Sequence, residues 1–384
     1  MNPMGFARRV AVVLALAAAA PCAAQRLSAP ADLGDGLRTT DPTRAGLDTT
    51  ALRRLTAAAV AAVAPKTSSV LIVRGGALAY EAYFGEGTRD RLNDTRSATK
   101  SVTSLAVGAA IADGKISSAD AKLLDFFADL RPVLNDNTAK GLITLSDLLT
   151  MSSALSCNDD DDASPGNEDN MHPNRVWTRW AVDLPTDTGY RRDSTGLGPW
   201  RYCTTGAFLL GQVVQRATGA HVDHFVEHRL FEPLGITKVE WQFSPSGEVM
   251  TGGGLRLRAR DLAKLALLVQ QGGTWNGREI VPADWIRQSL SVQRHASAGQ
   301  DYGYLFWHRV YKSRCGVSTG WYMAGNGGNA ILTFENLDAV VVVTRTNFNQ
   351  RGMHQQTQAL LEDYILPAIP CAERRRGGPL DEAY

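Results

Sequence analysis

The sequence predicts an α+β protein: an antiparallel sheet flanked by helices and assembled from both ends of the chain, with an all-helical lobe inserted between them. Three observations carry this. The segment "SSVLIVRGGALAYEAYFG" (68 to 85) places two runs of strand formers around Gly75 and Gly76, the pattern of a β-hairpin. Far downstream, "NAILTFENLDAVVVVTRTN" (329 to 347) repeats the pattern around Glu335 and Asn336. Between these ends the texture is helical: "SVTSLAVGAAIADG", "TLSDLLTMSS", "TTGAFLLGQVVQRATG" and "ARDLAKLALLVQQGG" are each apolar at helical spacing and closed by glycine or a polar turn. The expected α/β lobe runs over about 26–95 and 250–372, and the helical lobe over about 96–249.

The chain begins with an export pattern. In residues 1–24, Arg8 and Arg9 precede "VAVVLALAAAA", and "PCAA" offers small residues for cleavage before Gln25, so a signal peptide and a periplasmic or secreted location are expected. The apolar run is short for a membrane span, and Pro21 sits where a lipid-attachment motif around Cys22 needs a small residue, so no membrane anchor is expected. At the other end, "QQTQALLEDYILPAI" reads as the last helix, and 373–384 as a flexible tail.

Composition excludes several classes. Of 384 residues, 44% are hydrophobic and 21% charged, a balance that builds a packed core and argues against disorder. Without Arg8 and Arg9 the chain carries 38 basic against 39 acidic side chains, which leaves no electrostatic footprint for nucleic acid. Loss of the leader would leave Cys157, Cys203, Cys315 and Cys371, an even number that fits two disulfides in an oxidising compartment; four cysteines allow three pairings. The acidic patch "CNDDDDASPGNEDN" (157 to 170) lacks regular ligand spacing for calcium and reads as a solvated loop. His221, His224 and His228 in "HVDHFVEH" share one helical face, which is read as solvated rather than as a zinc site. No metal or cofactor is called for.

The chemistry concentrates in three places. In "TRSATKSVTS" (95 to 104), Ser97 stands three residues before Lys100, and on a helix that spacing puts both on one face, a turn apart. A serine hydroxyl needs a base to become a nucleophile, and a helix start favours the developing alkoxide. Lys100 is the only one of eight lysines with a serine three positions before it. Second, "WRYCTTGAFLLG" (200 to 211) places Tyr202 just ahead of a small-residue helix, and a phenol beside an ammonium makes a good general base. Third, "MAGNGGNAIL" (323 to 332) is a glycine cluster read as opening an edge strand, where a substrate can lie close to the backbone.

That order of motifs resembles the serine β-lactamase and penicillin-binding-protein superfamily, and within it the class C-like branch of β-lactamases, D-alanyl-D-alanine peptidases, esterases and 6-aminohexanoate oligomer hydrolases. The likeness covers roughly residues 45–367 and includes "ITLSDLLTMSSAL", "LFEPLGI", "GGGLRLRARDLAKLALL" and "WNGREIVPADWI". It implies a β-lactamase/transpeptidase-like fold with Ser97 as the acylated nucleophile, Lys100 as its proton acceptor or modulator, and Tyr202 as general base. The backbone N–H groups of Ser97 and Asn326 would form the oxyanion hole, with Thr204, Met323, Ala324 and Gly325 contacting substrate. Two positions depart from the pattern. Thr204 stands where a Tyr-x-Asn motif has asparagine, and Met323, Ala324 and Gly325 stand in the place of the carboxylate-gripping Lys-Thr-Gly.

The resemblance also favours pairing Cys157 with Cys203, which would pin the acidic loop near Tyr202, and hence Cys315 with Cys371. An α/β-hydrolase triad is set aside for want of a Gly-x-Ser-x-Gly elbow, and no His-Glu-x-x-His zinc motif occurs. The expected function is that of an exported serine hydrolase of the carboxylesterase or amidase type, working through an acyl-enzyme on a small ester or amide uncharged near its acyl centre. The apolar thioether of Met323 would face an acyl chain, and Arg345 would serve a structural pairing on the sheet. The alternatives are a true β-lactamase or D-Ala-D-Ala peptidase, and a non-catalytic acylatable sensor on the same fold.

Overall fold

The computed structural model describes residues 27–61 and 65–371. The signal peptide, Cys22 and the tail at 373–384 lie outside the described residues. The main sheet has eight antiparallel strands: β1 Thr67–Arg74, β2 Ala77–Tyr83, β3 Arg294–Ser297, β4 Gln300–Tyr302, β5 Trp307–Ser313, β6 Gly316–Gly325, β7 Asn329–Phe334 and β8 Ala339–Arg345. Their order across the sheet is β2-β1-β8-β7-β6-β5-β4-β3, so the first hairpin is locked to the last strand, with Val70 opposite Val343 and Ile72 opposite Val341. Both expected hairpins are present. Gly75 and Gly76 turn the first with φ of 57° and 71°, values that only glycine adopts without strain.

Strand alternation gives the sheet two buried faces. Leu71, Val73, Ile331, Val340 and Val342 belong to one core, which continues into helices α2 Thr99–Ala112, α3 Thr204–Thr218 and α4 Ala259–Gln270. Val70, Ile72, Leu332, Val341 and Val343 belong to the other, with α1 Thr49–Val60 and the C-terminal helix α5 Met353–Leu360. Asp48, which was not singled out in the sequence, caps α1 by accepting from the N–H of Thr50 and Ala51.

Among the described residues, helices and turns from Thr99 to Leu234 form the layer over the first core, and α2 is buried over nearly its whole length. The "TLSDLLTMSS" segment yields a short helix, Leu145–Leu149, opened by a capping box between Thr144 and Asp147. "TTGAFLLGQVVQRATG" yields α3, ended by Gly219 in the left-handed region. Disulfides join Cys157 to Cys203 and Cys315 to Cys371. No helix among the described residues is long and apolar enough to cross a membrane.

Two expectations need correction. The strand at the glycine cluster is not an edge strand: β6 lies between β7 and β5. Only its last residues, Met323 to Gly325, are open on the β5 side, because β5 begins at Trp307 opposite Tyr322. The acidic loop is only partly solvated. Asp160, Asp161 and Asp162 are exposed, whereas Cys157, Ser164, Gly166 and Asn167 are buried and Asp159 turns inward.

Candidate active site

The chain enters the site through a strained turn. Arg96 has φ of 50°, the left-handed region that a bulky residue adopts only when its surroundings impose it. Its N–H is held by Asp94 Oδ1 at 3.1 Å, and its guanidinium lies over the Phe348 ring, 4.7 Å from the centroid. Thr95 donates to the Leu255 carbonyl through both its N–H (3.1 Å) and its hydroxyl (2.7 Å). Ser97 therefore emerges on a single 3₁₀ turn, Arg96–Ala98, that runs directly into α2.

One turn on, Lys100 is 1% exposed. Its ammonium donates to Ser97 Oγ at 3.0 Å and to the Gly252 carbonyl at 2.7 Å, and it lies 4.8 Å from the centroid of the Tyr202 ring. Gly252 makes this possible, since a Cβ there would come within 2.6 Å of Thr204 Cγ2. Tyr202, at the residue before the α3 N-cap, stacks on Trp307 with centroids 5.8 Å apart. Its hydroxyl has no protein partner among the described hydrogen bonds. Beneath it, burial pushes the Tyr302 hydroxyl well above its ordinary pKa, and the charge of an ionised Tyr202 would push it further.

Across from Ser97, β6 ends against the nucleophile turn. A Cβ on Gly325 would sit 2.1 Å from the Thr95 carbonyl oxygen, so only glycine lets the strand come this close. The Asn326 side chain is held to Asn349, with Nδ2 donating to Asn349 Oδ1 (2.6 Å) and Oδ1 accepting from the Asn349 N–H (2.8 Å). Its own N–H, like that of Ser97, has no protein acceptor among the described hydrogen bonds. Asn329 ties the two sides together: its Nδ2 donates to the carbonyls of Asp94 (3.0 Å) and Asn326 (3.1 Å), and its Oδ1 accepts from the Arg345 N–H (3.0 Å).

Ser97, Tyr202, Ala324, Gly325 and Asn326 line one cavity of about 430 Å³, walled on one side by Trp200 and Trp307. Two expected substrate contacts are not among its walls. Met323 is 1% exposed and packs in the core beneath α2, because strand alternation turns it away from Tyr322 and Ala324, which face the cavity. Thr204 is also 1% exposed, since it is the first residue of α3 and lies against Gly252. Arg345, 1% exposed, is structural: its guanidinium donates to the carbonyls of Pro65 and Met353 and to Thr357 and Gln356, and burial lowers its pKa to about 10.

Asp159 was not singled out from the sequence. Its carboxylate accepts from the N–H of Thr204 at 2.6 Å and of Glu168 at 3.0 Å, and its own N–H donates to the Tyr202 carbonyl at 2.8 Å. Burial raises its pKa, against the opposing charge of Lys100 and the Thr204 bond. The only hint in the sequence is its position two residues after Cys157, whose partner directly follows Tyr202.

Other candidates resolve locally. The sequence does contain a Gly-x-Ser-x-Gly run, Gly316 to Gly320, but it lies within β6, and Ser318 is buried and bonded to Ser313 Oγ at 2.8 Å rather than raised on a strand-to-helix elbow. His221 pairs with Asp223 and reaches the Gly247 carbonyl, while His228 pairs with Glu232.

Comparisons with known proteins bear on the family and the fold. The family model for Beta-lactamase matches residues 52–364. The 6-aminohexanoate-dimer hydrolase of Paenarthrobacter ureafaciens is 24% identical over 268 residues, covering 68% of this chain and 65% of that protein. Lovastatin esterase of Penicillium rubens is 34% identical over 198 residues, 46% of each. The chain thus spans about two thirds and about half of the lengths of these curated relatives. Among solved structures, a penicillin binding protein from Bacillus halodurans superposes with a TM-score of 0.59 at 17% identity, covering 81% of this chain and 98% of that one. Since the family model takes in both the turn that presents Ser97 and the strand that ends just before Asn326, the chain belongs to the beta-lactamase family.

Proposed function

We propose that the protein is a serine hydrolase that cleaves a small ester or amide through an acyl-enzyme. The observation that carries this is the contact of the buried Lys100 ammonium with Ser97 Oγ at 3.0 Å, at the start of a helix and beside Tyr202. Tyr202, beside the Lys100 ammonium, takes the Ser97 proton as Oγ attacks the substrate carbonyl carbon. The N–H groups of Ser97 and Asn326 stabilise the resulting oxyanion. Collapse expels the alcohol or amine, which leaves with the proton held by Tyr202. A water then gives its proton to the same base as it attacks the acyl-enzyme carbonyl, and collapse breaks the ester bond to Ser97 Oγ, which takes that proton back as the acid leaves.

Three features support a substrate uncharged near its acyl centre. Met323 to Gly325 supply no cation. Trp200, Tyr202 and Trp307 wall the cavity near Ser97, and Asp159, Asp160 and Glu168 outnumber the Arg309 guanidinium that also lines it and is bonded to Gln358 at 2.6 Å, a balance that disfavours the carboxylate of penicillins and cephalosporins. The two relatives, a 6-aminohexanoate-dimer hydrolase and a lovastatin esterase, fit the same class. Two disulfides favour an oxidising compartment, and we place the protein as exported, periplasmic or secreted.

The test is a side-by-side assay of purified protein on p-nitrophenyl esters, linear amide oligomers, D-amino-acid peptides and nitrocefin, with fluorophosphonate labelling. Esters or amides turned over well ahead of nitrocefin, with label on Ser97, are expected. Efficiency on nitrocefin equal to the best ester would replace this reading with a β-lactamase, and labelling without turnover would replace it with an acylatable sensor.

A further inference from the structure

We infer that Asp159 is a positioning residue for the Tyr202 base, gripping the backbone that carries it and setting a negative charge opposite Lys100. The inference rests on the acyl-enzyme reading above. Three contacts converge on a stretch of three residues. The Asp159 N–H donates to the Tyr202 carbonyl, its Oδ2 accepts from the Thr204 N–H, and the Cys157–Cys203 disulfide crosses between those two bonds. Oδ1 accepts from the Glu168 N–H, which closes the loop behind it.

The Thr204 N–H is the first of α3, so the carboxylate also sits at the positive end of a fifteen-residue helix. Thr204 has no side-chain amide to offer the site where the superfamily pattern has asparagine. Here a carboxylate from a different segment stands at the same backbone.

Charge gives the arrangement a second consequence. The groups facing Asp159 are Lys100 from α2, Glu168 from the short helix Glu168–Met171 and Asp160 on its own loop, with Tyr202 ahead of α3. Asp159 bears by charge on Lys100, Tyr302 from β4 lies near Tyr202, and Asp160, Glu168 and Arg309 line the same cavity as Tyr202. Asp159 is thus a carboxylate whose charge bears on Lys100, the partner of the base that must accept a proton for Ser97 to attack. A nearby anion opposes the loss of a proton from that pair, and removing it eases deprotonation.

The experiment compares Asp159→Asn with wild type in the pH dependence of kcat/KM on a p-nitrophenyl ester. Asparagine keeps the size but loses the charge, and its carbonyl accepts only on one side. The expected result is a drop of roughly ten-fold at the plateau, as the base is less well held, and an acidic limb displaced to lower pH by about half a unit or more. A purely structural role would lower the plateau and leave the limb in place, and an unmoved limb overturns the charge role. If Asp159→Asn fails to fold, Thr204→Pro tests the grip alone: proline is tolerated at the first position of a helix and deletes the N–H that Asp159 holds. It should lose about ten-fold in kcat with the limb unmoved, against a Thr204→Ala control that keeps the N–H. Wild-type kcat in Thr204→Pro overturns the positioning role. Failure of the underlying reading shows separately, as hydrolysis that survives in Ser97→Ala.

Discussion

Replacing Gly325 with alanine tests whether the approach of β6 to the nucleophile turn sets the rate. The added Cβ would lie 2.1 Å from the Thr95 carbonyl oxygen and 3.3 Å from Arg96 Cβ. Contacts under 3.0 Å are not sustained by real side chains, so strand and turn must part by about 0.9 Å or more. Neither partner yields easily, since Thr95 is bonded to Leu255 and Asn329 ties the strand end to Asp94. The Asn326 N–H directly follows the substituted residue, so this displacement falls on the proposed oxyanion site. A misplacement near 1 Å in a reacting constellation costs on the order of 10²-fold. Gly325→Ala should therefore lose about two orders of magnitude in kcat/KM on a p-nitrophenyl ester, mainly in kcat. Gly141→Ala is the control, because a Cβ there meets nothing within 4 Å. Circular dichroism and a melting curve confirm the fold. A well-folded Gly325→Ala enzyme with wild-type kcat would refute the claim that the strand end and the Ser97 turn form one rigid unit.

Ser97→Ala should abolish turnover and fluorophosphonate labelling, while Lys100→Ala and Tyr202→Phe should each cost about 10²-fold or more in kcat, as expected for lost general-base assistance. Removing the Cys157–Cys203 bridge as the double alanine variant frees a 46-residue separation, for which chain entropy gives about 4 kcal/mol, read as a lowered midpoint in urea. Glu81, 4% exposed, meets Arg260, 2% exposed, at 2.6 Å. Burial disfavours its charge, but bonds from Arg260 and Tyr83 outweigh this and hold its carboxyl below the ordinary value. With the folded value below the unfolded one, the stability from this pair is present above the unfolded pKa of about 4.5 and is lost as the pH falls through the folded value. Glu81→Gln, which strands the Arg260 charge, should cost about 3–5 kcal/mol near pH 7, with much of the difference from wild type gone in acid denaturation curves.

What the sequence made legible follows from how local each signal is. The hairpins at 68–85 and 329–347 and the helices at α2, α3 and α4 each carry their own periodicity and their own stop. Ser97 and Lys100 could be paired because helical geometry fixes a spacing of three. Strands β3 to β5 were not legible: their burial alternates weakly, and charged or polar residues occupy much of "RHAS" and "WHRVYKS". The inward turn of Met323 depended on which face of β6 meets α2, a fact of register that no local pattern encodes. Asp159 sits in a run of four aspartates that reads as solvent-facing throughout, and only the disulfide and the Thr204 N–H single one of them out. Asn329, which holds Asp94 and Asn326 together, gives no signal at all in one dimension.

The pairing of β1 with β8 has a consequence for the order in which the enzyme comes into being. Thr67 to Arg74 finds its neighbour only when Ala339 to Arg345 has left the ribosome, some 270 residues later. Until then β1 has only β2 beside it, and a lone hairpin is marginal in water. Ser97 emerges early, yet the Asn326 amide and the Asn329 clamp that complete its surroundings belong to the last quarter of the chain. On the proposed reading, the nascent chain therefore lacks a complete site through most of its synthesis.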